Sequence, residues 1–575
     1  MAELSENACR ILQARYLKKD EHGEVVETPA DMFRRVARHV AAAEKVYDWN
    51  SRTSRYEERF FELMSSLEFL PNSPTLMNAG RDLGQLSACF VLPLHDNLES
   101  IFETLKETAL IHQSGGGTGF SFSRLRPKND IVATTSGVAS GPVSFMKIFN
   151  AATEIVKQGG TRRGANMGVL RVDHPDIREF IEVKGDPEEL RSFNLSVGIT
   201  DDFMHAVKAN HEIGLVNPRT RIAEGRVNAR ELFDMMVGCA WKSGEPGVLF
   251  LDRINRNNPT PFQGPVESTN PCGEQPLLPY ESCNLGSVNL VKMIRQGARG
   301  SEVDWKKLGE AVKLGVRFLD DVIDVNHFPL PEIEKITRSN RKIGLGIMGF
   351  AHFLILMGVQ YGSDESVRIA EEVMAYVAHQ AREASRELAG QRGPFPNFSR
   401  SVYAARNEPP LRNALVTTIA PTGSLSIIAG CSSGIEPIFG ISTIRRAAGG
   451  IELHEVDPVF RRLAAEHAME SQEDQAVRDS RGTAPDITLL APEVRALFVT
   501  ALDIPPSQHV SIQAAFQRHT DSAVSKTINF PSNVTIQGMK ETFRLAYDLG
   551  CKGITIYRDQ SRAGQVVTCG TCKVC

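Results

Sequence analysis

The chain has 575 residues, 42% of them hydrophobic and 23% charged, and its 65 basic and 69 acidic side chains leave a net charge of −4. That balance excludes a disordered, collagen-like or disulfide-dense chain, and the missing basic excess argues against a nucleic-acid polymer as partner. No apolar run reaches the roughly 18 residues of a membrane span, and the charged N-terminus lacks the apolar core of a signal peptide. A cytoplasmic chain without membrane association is expected.

In chain order, residues 1–70 read as helical. Thr28-Pro29-Ala30-Asp31 supplies an N-cap, a proline at the first helical position and an acid three residues after the cap. Phe33, Val36, Val40 and Tyr47 follow at helical spacing. Residues 71–560 alternate Gly/Pro/Asn/Ser clusters with short apolar runs and longer helical ones, the pattern of one large α/β domain. A helix is expected over 363–389, with Val367, Ala370, Val373, Val377, Ala381, Ala384 and Leu388 on one face. Strands are expected at Leu415–Ala420 and Ile554–Tyr557. Residues 561–575 have little apolar pattern and read as a flexible cysteine-rich tail.

The ten cysteines are expected to stay reduced unless they are catalytic or metal-bound. The motif with most chemistry is Asn270-Pro271-Cys272-Gly273-Glu274. Pro271 pushes Asn270 toward an extended conformation, and an extended segment would turn an amide, a thiol and a carboxylate to one side. A surface turn is the plainer alternative, because Asn-Pro and Cys-Gly are common turn pairs. Cys283 follows in Glu281-Ser282-Cys283-Asn284-Leu285-Gly286-Ser287, Cys89 sits in Leu86-Ser87-Ala88-Cys89-Phe90, and Pro71-Asn72-Ser73-Pro74-Thr75 precedes it. Gly115-Gly116-Gly117-Thr118-Gly119 lacks the spacing of a dinucleotide fingerprint and signals only close backbone approach. Leu415–Ala420 runs into Pro421-Thr422-Gly423-Ser424-Leu425, a strand, small-residue turn and helix start of the kind that binds anions.

These segments, in this order from about residue 60 to the C-terminus, resemble the large catalytic chain of ribonucleotide reductases. The resemblance implies a ten-stranded α/β barrel with a helical N-terminal region. It implies that Cys272 becomes a transient thiyl radical that abstracts the 3′-hydrogen of the ribose. Glu274 would be the base on the 3′-hydroxyl, and Asn270 would bond the sugar hydroxyls. Cys89 and Cys283 would be the dithiol that closes to a disulfide as the 2′-hydroxyl leaves. Ser73, Ala88, Cys89, Gly117, residues 270–274 and the loop Pro421, Thr422, Gly423, Ser424 and Leu425 would contact substrate.

Asp96 and Arg126 match effector-contacting positions, and Arg162 and Arg163 lie in a Gly/Arg-rich loop of the regulatory type. ATP or a deoxynucleoside triphosphate is the expected effector, bound at the interface of a homodimer. An ordinary solvated loop is the alternative. Among the radical-forming classes, residues 550–562 most resemble the adenosylcobalamin class; a separate metal-containing subunit or a catalytically silent relative are the rivals. The sequence has no Asp-x-His-x-x-Gly motif for a cobalt-ligating histidine. No protein-bound metal site is expected. Substrate is expected to be a ribonucleoside diphosphate rather than a triphosphate. Cys569, Cys572 and Cys575 read as a shuttle recharged by thioredoxin or a similar donor, with zinc binding as the rival; Cys9, Cys239, Cys431 and Cys551 read as structural.

Overall fold

A computed structural model describes residues 2–50, 53–132, 137–158, 162–297, 300–447, 451–466, 492–561 and 567–569. The chain begins with helices α1 (Glu6–Arg15), α2 (Pro29–Ala41) and α3 (Thr53–Ser65). The expected capping box forms: Thr28 Oγ1 accepts from the Asp31 amide at 3.2 Å, and the Asp31 carboxylate accepts from the Thr28 amide at 3.1 Å. Phe33, Val36, Val40 and Phe60 are fully buried, and their core is continuous with that of the barrel helices α6 (Trp305–Val325) and α7 (Asp364–Arg392). Glu44 reinforces this contact by accepting from Arg317 at 2.6 Å and from Arg392 at 2.8 Å.

Ten strands form one sheet among the described residues: β1 (Phe69–Pro71), β2 (Cys89–Leu92), β3 (Gly117–Ser121), β4 (Asn166–Arg171), β5 (Phe193–Ile199), β6 (Gly247–Phe250), β7 (Ser282–Asn289), β8 (Ile343–Met348), β9 (Thr527–Phe530) and β10 (Gly553–Arg558). Strands β2 to β6 pair in parallel, each with the next. Strand β6 then meets β10 antiparallel, and β10 runs parallel to β9. At the other end β7 pairs parallel with β8 and antiparallel with β1 and β2. The sheet is therefore two parallel halves set against each other.

The expected strand at 415–420 is extended, but it makes single bridges instead of a full ladder. Thr417 bridges Leu345 of β8, and Ile419 bridges Val524 just before β9. Ile419 N donates to Ala523 O at 3.2 Å, and Ser525 N donates to Ile419 O at 2.9 Å. These bridges join β8 to β9 through the 415–420 segment, which is the tenth member of a ring with the nine strands β2 to β10, the barrel expected from the family, while β1 pairs beside it with β7. The ladder is interrupted because side chains take its donors: Asp521 Oδ2 accepts from the amides of Val416 at 2.9 Å and Thr417 at 3.2 Å. The helix expected at 363–389 is α7, and the strand expected at 554–557 is β10.

Three residues of the expected flexible tail are paired: Val567–Cys569 forms a strand against Ser442–Ala447, with Cys569 opposite Thr443. Cys572 and Cys575 lie outside the described residues. Among the described residues no helix is long and apolar enough to cross a membrane.

Candidate active site

The segment around Cys272 is a hairpin, not the extended strand expected from Pro271. Ser268–Thr269 pairs antiparallel with Pro276–Leu277. Gly273 sits in the left-handed region at φ +81° and donates to Asn270 O at 3.0 Å. Asn270 Oδ1 accepts from the Gln275 amide at 2.9 Å, as asparagine commonly does in turns. The turn wins over extension because Gly273 relieves the positive φ and Asn270 satisfies the backbone locally. Asn270 and Glu274 thereby flank the base of the turn, both buried, and Cys272 stands exposed at its tip.

Both halves of the barrel grip this hairpin. A Cβ on Gly119 would lie 1.7 Å from Thr269 O, so β3 and the hairpin backbone touch directly. A Cβ on Gly117 would meet the Pro271 ring at 3.0 Å. These contacts give the glycine run the close approach read from its sequence. Asn194 Nδ2 on β5 donates to Pro271 O at 2.8 Å. From the opposite half, Thr418 Oγ1 at 3.0 Å and Ala523 N at 2.9 Å both donate to Glu274 O.

The hairpin faces the cysteine pair. Cys89 on β2 lies directly opposite Cys283 on β7 in antiparallel register. Such pairs have Cα atoms about 4.5–5.5 Å apart, within disulfide range. Both residues are thiols in the structure, as are all seven cysteines among the described side chains. Asn270 Nδ2 donates to Cys89 Sγ at 3.2 Å, joining the hairpin to the pair. Burial pushes the Cys89 thiol up strongly, and the Glu274 carboxylate adds to the shift. Burial also pushes Cys283 up, against a smaller opposing pull from Lys342. Glu274 is pushed up to about 7, by burial first, with the Asn270 amide partly offsetting it. Its Oε2 is buried without a hydrogen-bond partner among the described residues. A carboxyl group poised near neutrality with a vacant acceptor suits general base catalysis.

The loop 421–425 opens a short helix, α8 (Gly423–Ala429). Thr422 adopts φ +50°, and its hydroxyl accepts from the Gly434 amide at 2.8 Å. Ala420, immediately before the loop, packs in one apolar cluster with Cys89 and Cys283. Ser73, Ala88, Gly117, Pro421 and Ser424 are half-buried and Gly423 is exposed, so these residues combine position near the barrel core with accessible atoms.

Asp96 and Arg126 come together as an ion pair at 2.8 Å, with the Arg126 amide also donating to Asp96 Oδ1 at 3.0 Å. Arg162 and Arg163 form a short strand paired with Lys157–Gln158; nothing is described of their side chains, nor of residues 159–161. A buried chain of contacts links Gly164 to strands β3 and β4. Gly164 packs so closely on His112 that a Cβ would lie 2.4 Å from Nδ1. The His112 ring bonds Thr118 Oγ1 at 2.9 Å, and that hydroxyl donates to Asn166 Oδ1 at 2.7 Å, which makes His112 Nε2 the donor. Sequence reading missed Asn194, Thr418 and His112. Asparagine, threonine and a lone histidine have no diagnostic spacing; only tertiary contact identifies them.

The family model described as "Ribonucleotide reductase, barrel domain" matches residues 87–557, and "Ribonucleotide reductase, all-alpha domain" matches residues 2–84. The chain belongs to the ribonucleotide reductase family, as its motifs led us to expect. It is 49% identical to a vitamin B12-dependent ribonucleoside-diphosphate reductase of Thermoplasma acidophilum, over 99% of this chain and 81% of that one. It is 50% identical to a protein of the same description from Mycobacterium tuberculosis CDC 1551, over 98% and 81%. A ribonucleoside-diphosphate reductase large subunit of vaccinia virus is 27% identical over 90% and 73%.

Gly119→Ala should push the hairpin out of register, since its Cβ would collide with Thr269 O. Turnover is expected to fall about 100-fold, the scale for small misplacement of reacting groups. Circular dichroism should show a fold still intact; unchanged turnover would mean the hairpin is not clamped here.

Proposed function

We propose that this chain reduces ribonucleoside diphosphates to 2′-deoxyribonucleoside diphosphates by thiyl-radical chemistry dependent on adenosylcobalamin. The observation that supports it most is the buried meeting of Asn270 and Glu274 with the Cys89–Cys283 pair beneath an exposed Cys272. Adenosylcobalamin fits this arrangement, because the thiol that must be oxidised first is the one a bulky cofactor can reach. When bound, it supplies the one-electron chemistry that converts the Cys272 thiol to a thiyl radical.

The remaining steps belong to the chain. Cys272 takes the 3′-hydrogen, a near-balanced exchange because S–H and C–H bonds are similar in strength. Glu274 accepts the 3′-hydroxyl proton, and Asn270 orients the sugar. The radical at C3′ loosens the C2′–O bond, which ionic displacement would break very slowly. The hydroxyl takes up a proton and leaves as water, C2′ gains a hydrogen in its place, and Cys89 and Cys283, which supply the two electrons and two protons for these steps, close a disulfide. Cys272 then returns a hydrogen to C3′. The loop 421–425, with Ser73, Ala88 and Gly117, holds the substrate.

Thioredoxin or a similar dithiol protein recharges the pair through Cys569, Cys572 and Cys575, in keeping with a reducing cytoplasm. ATP or a deoxynucleoside triphosphate binds near Asp96, Arg126, Arg162 and Arg163 and adjusts substrate choice through the loop that rests on His112. A homodimer forms there through α4 (Leu98–Gln113) and α5 (Pro142–Ile155). Support comes from large apolar side chains left exposed on these helices, Leu98, Phe102 and Leu110 on one and Ile148 and Ile155 on the other.

The purified chain with a dithiol should reduce CDP, ADP, GDP and UDP only when adenosylcobalamin is added. Inactivity in both conditions would point to a missing radical-generating subunit or a silent relative. A second expectation concerns pH. Because Glu274 is protonated below about 7, kcat/KM should fall about tenfold per unit as pH drops through that value and level off above it. Glu274→Gln should lose at least about 100-fold in activity, the lower range for a general base. A flat profile from pH 6 to 8 would remove Glu274 from that role.

A further inference from the structure

A nucleoside diphosphate is a polyanion at neutral pH, since a phosphate's last pKa is about 6. None of the residues assigned above to substrate contact is cationic: Ser73, Ala88, Cys89, Gly117, residues 270–274 and 421–425 carry only neutral groups and the Glu274 carboxyl. The N-terminal helical region brings a cation to these loops. Arg15, the last residue of α1, donates from Nη1 to Ser424 Oγ at 3.1 Å. The next residue, Tyr16, shares a 2.8 Å hydrogen bond with Ser73 Oγ. Two consecutive residues therefore reach both loops expected to hold substrate.

The surroundings separate Arg15 from an ordinary surface arginine. Arg34, Arg35 and Arg38 on α2 each face a glutamate, Glu58, Glu27 and Glu57 respectively. Arg81 lies 3.5 Å from Glu27. Arg15 meets no carboxylate among the described residues; its contacts are Ser424 and the Tyr16 ring, whose centroid lies 5.6 Å from the guanidinium carbon. Tyr16 itself is fully buried, and its carbonyl accepts from Arg81 Nη2 at 2.6 Å, which fixes the end of α1. One Arg15 donor is committed to Ser424, and the rest of its five N–H groups remain for a bidentate contact with phosphate.

The geometry points to Arg15 as the residue that binds the terminal phosphate of a nucleoside diphosphate, with Tyr16 positioning the Ser73 hydroxyl beside it. This assignment rests on the proposed diphosphate reduction and gives the N-terminal region a part in substrate recognition. Arg15 takes no part in bond breaking, so its loss should weaken binding and spare the chemical steps.

The test uses the full-length chain with adenosylcobalamin and a dithiol, together with equilibrium binding of ADP and AMP. Arg15→Ala should raise KM for the diphosphates roughly 10- to 100-fold, the scale of a hydrogen bond to a charged group. The value of kcat should stay within about threefold, the pattern of lost uniform binding. Arg15→Lys should recover part of the affinity through its charge. In binding, wild type should prefer ADP over AMP, and Arg15→Ala should lose that preference while binding AMP as before. An unchanged KM, or equal losses for ADP and AMP, would reduce Arg15 to an anchor for α1 and overturn the assignment. If the wild-type chain reduces no nucleotide, the proposed activity fails, while the ADP-to-AMP ratio still decides the role of Arg15.

Discussion

The hairpin through the barrel depends on contact from two sides at once. Thr269 lies against Gly119 without room for a methyl group. Glu274 O is held from the other half by Thr418 Oγ1 and the Ala523 amide. A hairpin fixed by one wall could tilt. Held by both, it sets Asn270 against Cys89 and leaves only Cys272 exposed at the tip. The two-half topology follows the same need, since it closes the barrel through bridges at 417 and 419 while the neighbouring donors are taken up by Asp521 and the hairpin.

Burial then sets the chemistry. It keeps the Cys89 and Cys283 thiols protonated, so neither is a ready nucleophile for stray oxidants, and the pair is left to be oxidised by its own reaction. The same burial brings Glu274 to about 7, where it can accept a proton without being a permanent charge in an apolar site. One physical cause serves opposite ends: inert thiols and a responsive carboxyl.

Features encoded over a few residues were readable in the sequence. The Thr28 capping box and helix α7 follow from local spacing, and both are present. The cysteine, asparagine and glutamate of the hairpin were recognisable by type and order, yet their conformation was not: Pro271 suggested extension, whereas Gly273 and the Asn270 side chain close a turn. Cys89 and Cys283 were paired by resemblance, and only strand register shows how residues 194 positions apart come to lie opposite each other. Asn194 and Arg15 were not legible, because their partners lie far along the chain, nor was His112, whose bond to Thr118 is short-range but whose packing contact, Gly164, is distant. Leu415–Ala420 was half legible: its extended course was readable, but not the loss of its ladder to side chains.

Single-turnover chemistry tests the central claim most directly: that the hairpin delivers a radical to substrate while the facing pair supplies the electrons. The chain would be fully reduced, with Cys569, Cys572 and Cys575 changed to serine, and mixed with a ribonucleoside diphosphate and adenosylcobalamin in the absence of any reductant. The arrangement predicts one deoxynucleotide per chain, a Cys89–Cys283 disulfide by peptide mapping, and Cys272 recovered as a thiol. Product formed while Cys89 and Cys283 remain thiols, or a disulfide that includes Cys272, would contradict it.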